Sequence, residues 1–308
     1  MAVSVNDFSF RSSSGLWDIH ARSYEPNSPI GVFQITHGMA EHIDRYDDFA
    51  RFLAGNGYAV FIHDDIGHGK SVKSDDMLGF FGEENGDKTL VEDVKLLTGI
   101  ARTKYPDLPV ILFGHSMGSF VARSYCSKYA SSIDGAIICG TSGPNPGAKF
   151  GEIIANFIAK RKGSMYRSPF INSLAFGSYN NKIENKRTDF DWLTRDDAIV
   201  DKYIADKYCG FLFTAKGYRD MFRILQAVSA DSWYDAVPKS LPMFFIAGDS
   251  DPVGSYGKGV KTVTTKLGAT GHSKVECKLY PGCRHEILNE LCRQDVYEDI
   301  LAWVKKNS

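Results

Sequence analysis

The chain has 308 residues, 43% hydrophobic and 24% charged, with a formal net charge of −1. That length suits one large domain, or a core domain with an insertion, and the near-neutral balance shows no overall basic footprint for nucleic acid or an anionic membrane. The opening MAVSVNDFSFRSSSG is not a signal peptide, no apolar run reaches transmembrane length, and six scattered cysteines without a C-x-x-C pair form neither a disulfide framework nor a zinc site. Cys139 and Cys277 lie in apolar strands and are expected in the core, and a cytoplasmic location is the default.

Two alternating stretches, VNDFSFRS and LWDIHARSY, predict a hairpin across SSSG. IGVFQITHG (30–38) is a near-continuous apolar strand, and DRYDDFARFLAGNG follows with helical spacing and a glycine stop. YAVFIHDD is the next strand, residues 88–105 an amphipathic helix, 109–113 a buried strand, Ser116 to about Tyr129 a helix and GAIICG a strand. The last third repeats the rhythm with strand 243–249, helix 257–267, strand 274–280 and helix 292–305. Apolar strands alternating with helices predict an α/β fold with a mostly parallel central sheet covered on both faces. Residues 142–235 interrupt the alternation with many aromatics and short helical patterns, and read as a mainly helical cap inserted into a core of 1–141 and 236–308.

PVILFGHSMGSF (109–120) places a serine between glycines where a buried strand ends and a helix begins. G-x-S-x-G in that context predicts a nucleophile elbow, with Ser116 strained, its hydroxyl above the sheet, and a helix N-terminus behind it. Serine needs a base, and the base an orienting acid, in the chain order Ser, Asp or Glu, His. Only two histidines follow Ser116. His272 sits in a polar loop and reads as solvated, whereas His285 in YPGCRHEIL follows a strand's carboxyl end and reads as the base. FFIAGDSDPVG offers Asp249, which can cap the turn, and Asp251, which better reaches a histidine on the neighbouring loop and is favoured. The oxyanion donors are expected to be the backbone N–H groups of Met117 and of Met39 in THGMAEH, with His37 and His42 positioning that loop. HDDIGHGKS (63–71) lacks the glycine a phosphate loop requires at Asp64, and its His63, Asp64, Asp65 and His68 read as loop anchors rather than metal ligands.

THGMAEH, DDIGHGKS, GHSMGS, AGDSDPVG and HEILNE resemble, in order and spacing, the α/β-hydrolase superfamily, specifically the monoacylglycerol lipase and lysophospholipase branch of its serine hydrolases. The cap stretch RTDFDWLTRDDAIVDKYIADKYCGF is similar to bacterial lysophospholipases, so the resemblance covers nearly the whole chain. It implies Ser116, Asp251 and His285 as triad, and Met39 and Met117 as oxyanion hole, with no cofactor and no metal. It also implies an ester hydrolase working through an acyl-enzyme on monoacylglycerols or lysophospholipids. Short-chain or aromatic acyl esters, and a slow-turnover ligand-binding relative, stand as alternatives. The expected partner is a small lipid or other ester, with no nucleic acid; transient contact of the cap with a membrane or micelle stays open.

Overall fold

In the computed structural model, which describes residues 2–307, the two opening stretches pair as antiparallel strands β1 (Val3–Arg11) and β2 (Asp18–Pro26), with Val3 opposite Pro26 and Arg11 opposite Asp18. Six further strands follow: β3 (Gly31–Thr36), β4 (Tyr58–His63), β5 (Val110–His115), β6 (Gly135–Cys139), β7 (Met243–Gly248) and β8 (Val275–Tyr280). They complete an eight-stranded sheet in the order β1-β2-β4-β3-β5-β6-β7-β8, antiparallel from β1 to β4 and parallel from there on.

Strands β3 to β7 are buried along their whole length, which is why each reads as a continuous apolar run rather than an alternation. Alternation reappears in which layer each side chain enters. From β5, Ile111 and Phe113 pack with α1 (Asp47–Gly55) and α10 (Arg293–Asn307) on one face. Val110 and Leu112 pack with α2 (Gly86–Lys104), α3 (Met117–Tyr129) and α9 (Lys258–Ala269) on the other. Two expectations fail. Cys277 is exposed, because β8 is the edge strand and half of its side chains face solvent. His272 is buried rather than solvated: its Nδ1 lies 3.1 Å from Leu267 O and its Nε2 3.0 Å from Val237 O, so it staples the end of α9 to another segment of the chain.

Between β6 and β7 lie α4 (Gly147–Lys162), α5 (Pro169–Phe176), α6 (Asp197–Ala205), α7 (Ala215–Ser229) and α8 (Asp231–Ala236). Side-chain caps start three of them. Ser168 accepts the Ile171 N–H ahead of Pro169, Asp196 accepts those of Ala198 and Ile199, and Thr214 accepts that of Gly217. A Cβ on Gly151 would sit 2.7 Å from the Phe222 ring, so α4 lies directly on α7. Helix α7 in turn is pinned to α3 by buried Arg123, which donates to Val228 O at 2.6 Å and to Ser142 O at 3.0 Å and lies 4.4 Å over the Trp233 ring. Burial pushes the Arg123 pKa down to about 10, which leaves it charged at neutral pH.

The tightest approach in the core sets the position of α3. A Cβ on Gly118 would come within 2.3 Å of Thr36 O and 2.4 Å of His37 O, and one on Gly114 within 2.3 Å of Gly118 O. Helix α3 therefore crosses β3 and β5 at backbone contact, and only glycine fits at either position. Gly118→Ala is expected to cost about 3 kcal/mol in urea unfolding, at the upper end of ordinary overpacking because backbone must move. Unchanged stability would show that the crossing is slack.

Candidate active site

Where β5 gives way to α3, Ser116 has φ +54° and ψ −118°, in a region that L-residues rarely occupy. Neighbouring backbone holds it there: its N–H donates to Cys139 O at 3.0 Å, and its carbonyl accepts the Ser119 N–H at 2.9 Å. Around the serine gather the loops that follow the carboxyl ends of β3, β7 and β8, where parallel sheets place their sites.

His285 and Asp251 meet under this serine. Asp251 is fully buried; its Oδ2 lies 3.0 Å from His285 Nδ1, and its Oδ1 accepts the Val253 N–H at 2.8 Å. Asp249, by contrast, is exposed and accepts the Gly282 N–H at 2.8 Å, tying the turn after β7 to the one after β8. The structure thus joins Asp251, not Asp249, to the histidine. Burial acts to lower the His285 pKa, but the charge of Asp251 and its hydrogen bond, then the charges of Glu286 and Glu41, outweigh it and the pKa rises above 6.5. Ser116 and His285 line one cavity, with no hydrogen bond between their side chains among the described residues. Such contacts commonly close only when substrate is bound.

The loop after β3 carries one of the expected donors. Glu41 Oε1 takes the Gly38 N–H at 2.5 Å, whereas the Met39 N–H has no partner among the described residues. Met117 opens α3, so its N–H has no intrahelical acceptor either. Both residues line the cavity with Ser116. Ala40, next in the loop, is held at φ +51° while its carbonyl accepts the Gly210 N–H at 2.9 Å and the Tyr203 hydroxyl at 3.1 Å.

Beneath the site runs an ion cluster that sequence reasoning missed. Arg45 bonds Glu41 and meets Glu286 with both terminal nitrogens, at 2.6 and 2.5 Å, and its guanidinium lies 4.8 Å over the Tyr203 ring. Glu41 also accepts the Tyr46 hydroxyl at 2.8 Å and lies 3.2 Å from His115 Nδ1. Burial would raise the Glu41 pKa, but the Arg45 charge and the His115 contact hold it well below the usual carboxylate range. The i,i+4 spacing of Glu41 and Arg45 was the available signal; Glu286 is distant in sequence and gave none.

The remaining sequence candidates act locally as anchors. Asp64 accepts the Ile43 N–H at 3.0 Å and the Lys70 N–H at 2.9 Å and lies 3.1 Å from His20 Nδ1. His37 Nε2 accepts the Asp65 N–H at 2.9 Å, which leaves Nδ1 to donate to Gly38 O at 2.7 Å and fixes the tautomer. Asp65 lies 3.1 Å from His63, and burial holds the His68 pKa down to about 4, neutral against Phe81 and Phe213. Among the described residues, one trio of metal-type donors converges: His42, Asp206 and Cys209. Its His42 Nε2 and Asp206 Oδ2 are already paired at 2.8 Å.

The cavity over Ser116 measures about 680 Å³ and is walled mainly by the segment between β6 and β7, including Phe150, Leu174, Phe176, Trp192, Phe222 and Leu225. That volume falls in the ordinary range of small-molecule sites. Sheet order, elbow and histidine–carboxylate pair together define an α/β-hydrolase. A family model described as Hydrolase_4 (serine aminopeptidase, S33) matches residues 27–292, and the chain belongs to that family. It is 27% identical to the monoacylglycerol lipase of Mycolicibacterium smegmatis over 97% of this chain and 96% of that one. It is 26% identical to human monoglyceride lipase over 94% and 88% of the two chains. Among solved structures, a thermostable carboxyl esterase from Bacillus coagulans in complex with glycerol superposes with a TM-score of 0.93 at 32% identity, covering 99% of each chain. The protein is a carboxylic-ester hydrolase of the α/β-hydrolase serine hydrolases, resembling monoacylglycerol lipase.

Arg45→Met is expected to cost about 3–5 kcal/mol, because it strands two buried carboxylates. Adding Glu41→Gln and Glu286→Gln should recover part of that in urea unfolding. No recovery would show that Arg45 acts through packing alone.

Proposed function

We propose that this enzyme hydrolyses single-chain lipid esters, monoacylglycerols or lysophospholipids, through an acyl-enzyme on Ser116. In this reading residues 142–235 form a cap over a core of 1–141 and 236–308. The observation that carries it is a serine at φ +54° sharing one largely apolar-walled cavity with a histidine bonded to a buried aspartate. Similarity to a monoacylglycerol lipase and a monoglyceride lipase adds the lipid class.

His285 Nε2 takes the Ser116 hydroxyl proton as Oγ attacks the ester carbonyl carbon. The carbonyl electron pair moves onto oxygen, which the Met39 and Met117 N–H groups receive. Collapse of the tetrahedral species breaks the bond to the alcohol, which leaves with the proton from His285. Water then attacks the acyl-Ser116 ester, giving its proton to His285 and releasing the fatty acid as the serine is reprotonated. Throughout, Asp251 holds Nδ1–H and so keeps Nε2 free to act as base.

Ser116→Ala is expected to leave only residual turnover with the fold intact. The base must be neutral, so kcat/KM falls as pH drops through a His285 pKa that lies above 6.5. Asp251→Asn removes the largest raising influence, so this limb should move to lower pH while kcat falls about 10⁴-fold. Asp249→Asn should change little beyond loop stability. Pre-steady-state and pH-rate measurements on a nitrophenyl ester check all three; near-normal turnover of Ser116→Ala would overturn the assignment.

The cap also carries an unusual surface. Phe150, Ile153 and Phe157 on α4 and Phe170 and Leu174 on α5 are exposed, with Phe150, Phe157 and Phe170 at 61%, 59% and 62%. Exposed Lys149, Lys160, Arg161 and Lys162 accompany them, which suits transient contact with an anionic lipid surface. Each acyl methylene buried in the cavity contributes about 0.8 kcal/mol, so kcat/KM should rise with acyl length until the cavity is full and then fall. Ile153→Ser with Phe157→Ser and Phe170→Ser should slow hydrolysis of monoacylglycerol carried in anionic vesicles several-fold while sparing a soluble butyrate ester. Equal losses on both substrates would remove the surface role.

A further inference from the structure

The inserted segment does more than cover the cavity. Its residues 191–195 are bonded along the histidine loop from 284 to 290. Arg284 donates to Asp191 O at 2.6 Å and Thr194 O at 3.0 Å, and the Glu286 N–H donates to Leu193 O at 2.7 Å. Thr194 donates to Asn289 O at 3.0 Å, and Arg195 meets the buried Glu290 carboxylate at 2.9 Å. From the centre of this seam the Trp192 ring lies over His285, with centroids 5.0 Å apart and planes 40° from parallel. His115 also packs on it, at 4.9 Å and 41°. His285 therefore touches a ring from the inserted segment and a ring from the elbow. Trp192 is itself held by the Asn180 side chain, which accepts its backbone N–H at 2.9 Å, and by Tyr179 at 4.9 Å.

We infer that Trp192 is a positioning residue for the hydrolytic reaction: it holds the His285 ring in the plane that serves both Asp251 and Ser116, and its π face stabilises the imidazolium formed each time the base takes a proton. The inference rests on the reading of His285 as the base. An indole face attracts a cation at this range and repels none of the neutral form. Other groups facing His285 are Asp251 from the loop after β7, His115 from β5 with Glu41 behind it, and Glu286 beside it paired to Arg45; Tyr179, near Asp251, stays protonated through burial. Tyr179 packs on Trp192 itself, so the ring's electronic share is read from a series that keeps its shape.

The test compares Trp192→Leu, which keeps an apolar cover without a π face, with Trp192→Phe, which keeps the face. In the full-length chain, with nitrophenyl butyrate as substrate, Trp192→Leu should move the acidic limb of kcat/KM down by about half a pH unit. It should lower kcat several-fold, while Trp192→Phe keeps the limb near its original position. The pKa of the His285 ring, read by NMR, should shift with the limb. Should the Leu variant fail to fold, growth on mono- and difluorinated tryptophan keeps the shape and withdraws ring electron density. Trp192 alone among the four tryptophans contacts His285, so the limb should step down with fluorine count. Ser116-dependent activity whose limb stays fixed across the Leu variant and the fluorinated series would overturn the inference. Activity independent of Ser116 would instead overturn the assignment of the base.

Discussion

Arg45 brings a full positive charge to a place with little water, its side chain only 10% exposed, and two carboxylates from distant parts of the chain close on it. Glu41 belongs to the loop whose Met39 N–H faces the cavity, and Glu286 follows His285 in the histidine loop. One guanidinium therefore sets the spacing between the Met39 loop and the His285 loop, while Tyr203 lies under its face. Buried ion pairs contribute little net stability because desolvation offsets their attraction. Their value here is geometric: a planar, bidentate cation leaves few alternative arrangements of the loops it joins.

Two strained residues depend on that frame. Ser116 at φ +54° and Ala40 at φ +51° each hold a conformation that costs about 1–3 kcal/mol for a residue with a side chain. At Ser116 the cost is met by the jammed crossing of α3 over β3, where Gly118 touches backbone on the far strand. At Ala40 it is met from the inserted segment, whose Tyr203 hydroxyl and Gly210 N–H fix the carbonyl. The second case means that the orientation of the Met39 N–H is set partly by residues more than 150 positions away.

Reading the sequence recovered what local pattern encodes. Apolar runs such as VILF announce buried parallel strands, and a serine between glycines at a strand end announces the tight turn. It failed where position relative to neighbours decides. KVECKLY has the composition of a central strand, but as β8 it has a partner on one edge only, so Cys277 faces solvent. The sequence around His272 is polar, yet two carbonyls converge on the ring and bury it. Arg45 with Glu286, and Trp192 with His285, are long-range pairs between loops, which carry no periodicity to read. HEILNE and DFDWLTRD were noticed as family motifs without any sign that they lie against each other.

That last contact changes what the inserted segment is for. If it were only a lid, removing it would relax acyl-length selection and leave the chemistry on Ser116 intact. The seam of 191–195 against 284–290 excludes so simple a separation, because excision takes away the ring over the base and the partners of Arg284 and Glu290. The segment instead divides into two parts. Helices α4 and α5 carry the exposed apolar side chains and much of the cavity wall. Residues 191–210 are bonded to the histidine loop and to Ala40, so they cannot swing without disturbing His285 and the Met39 loop together. In the proposed reading, substrate enters on the α4–α5 side, and the acyl-enzyme exchanges alcohol for water there while Ser116, His285 and the Met39 loop stay fixed.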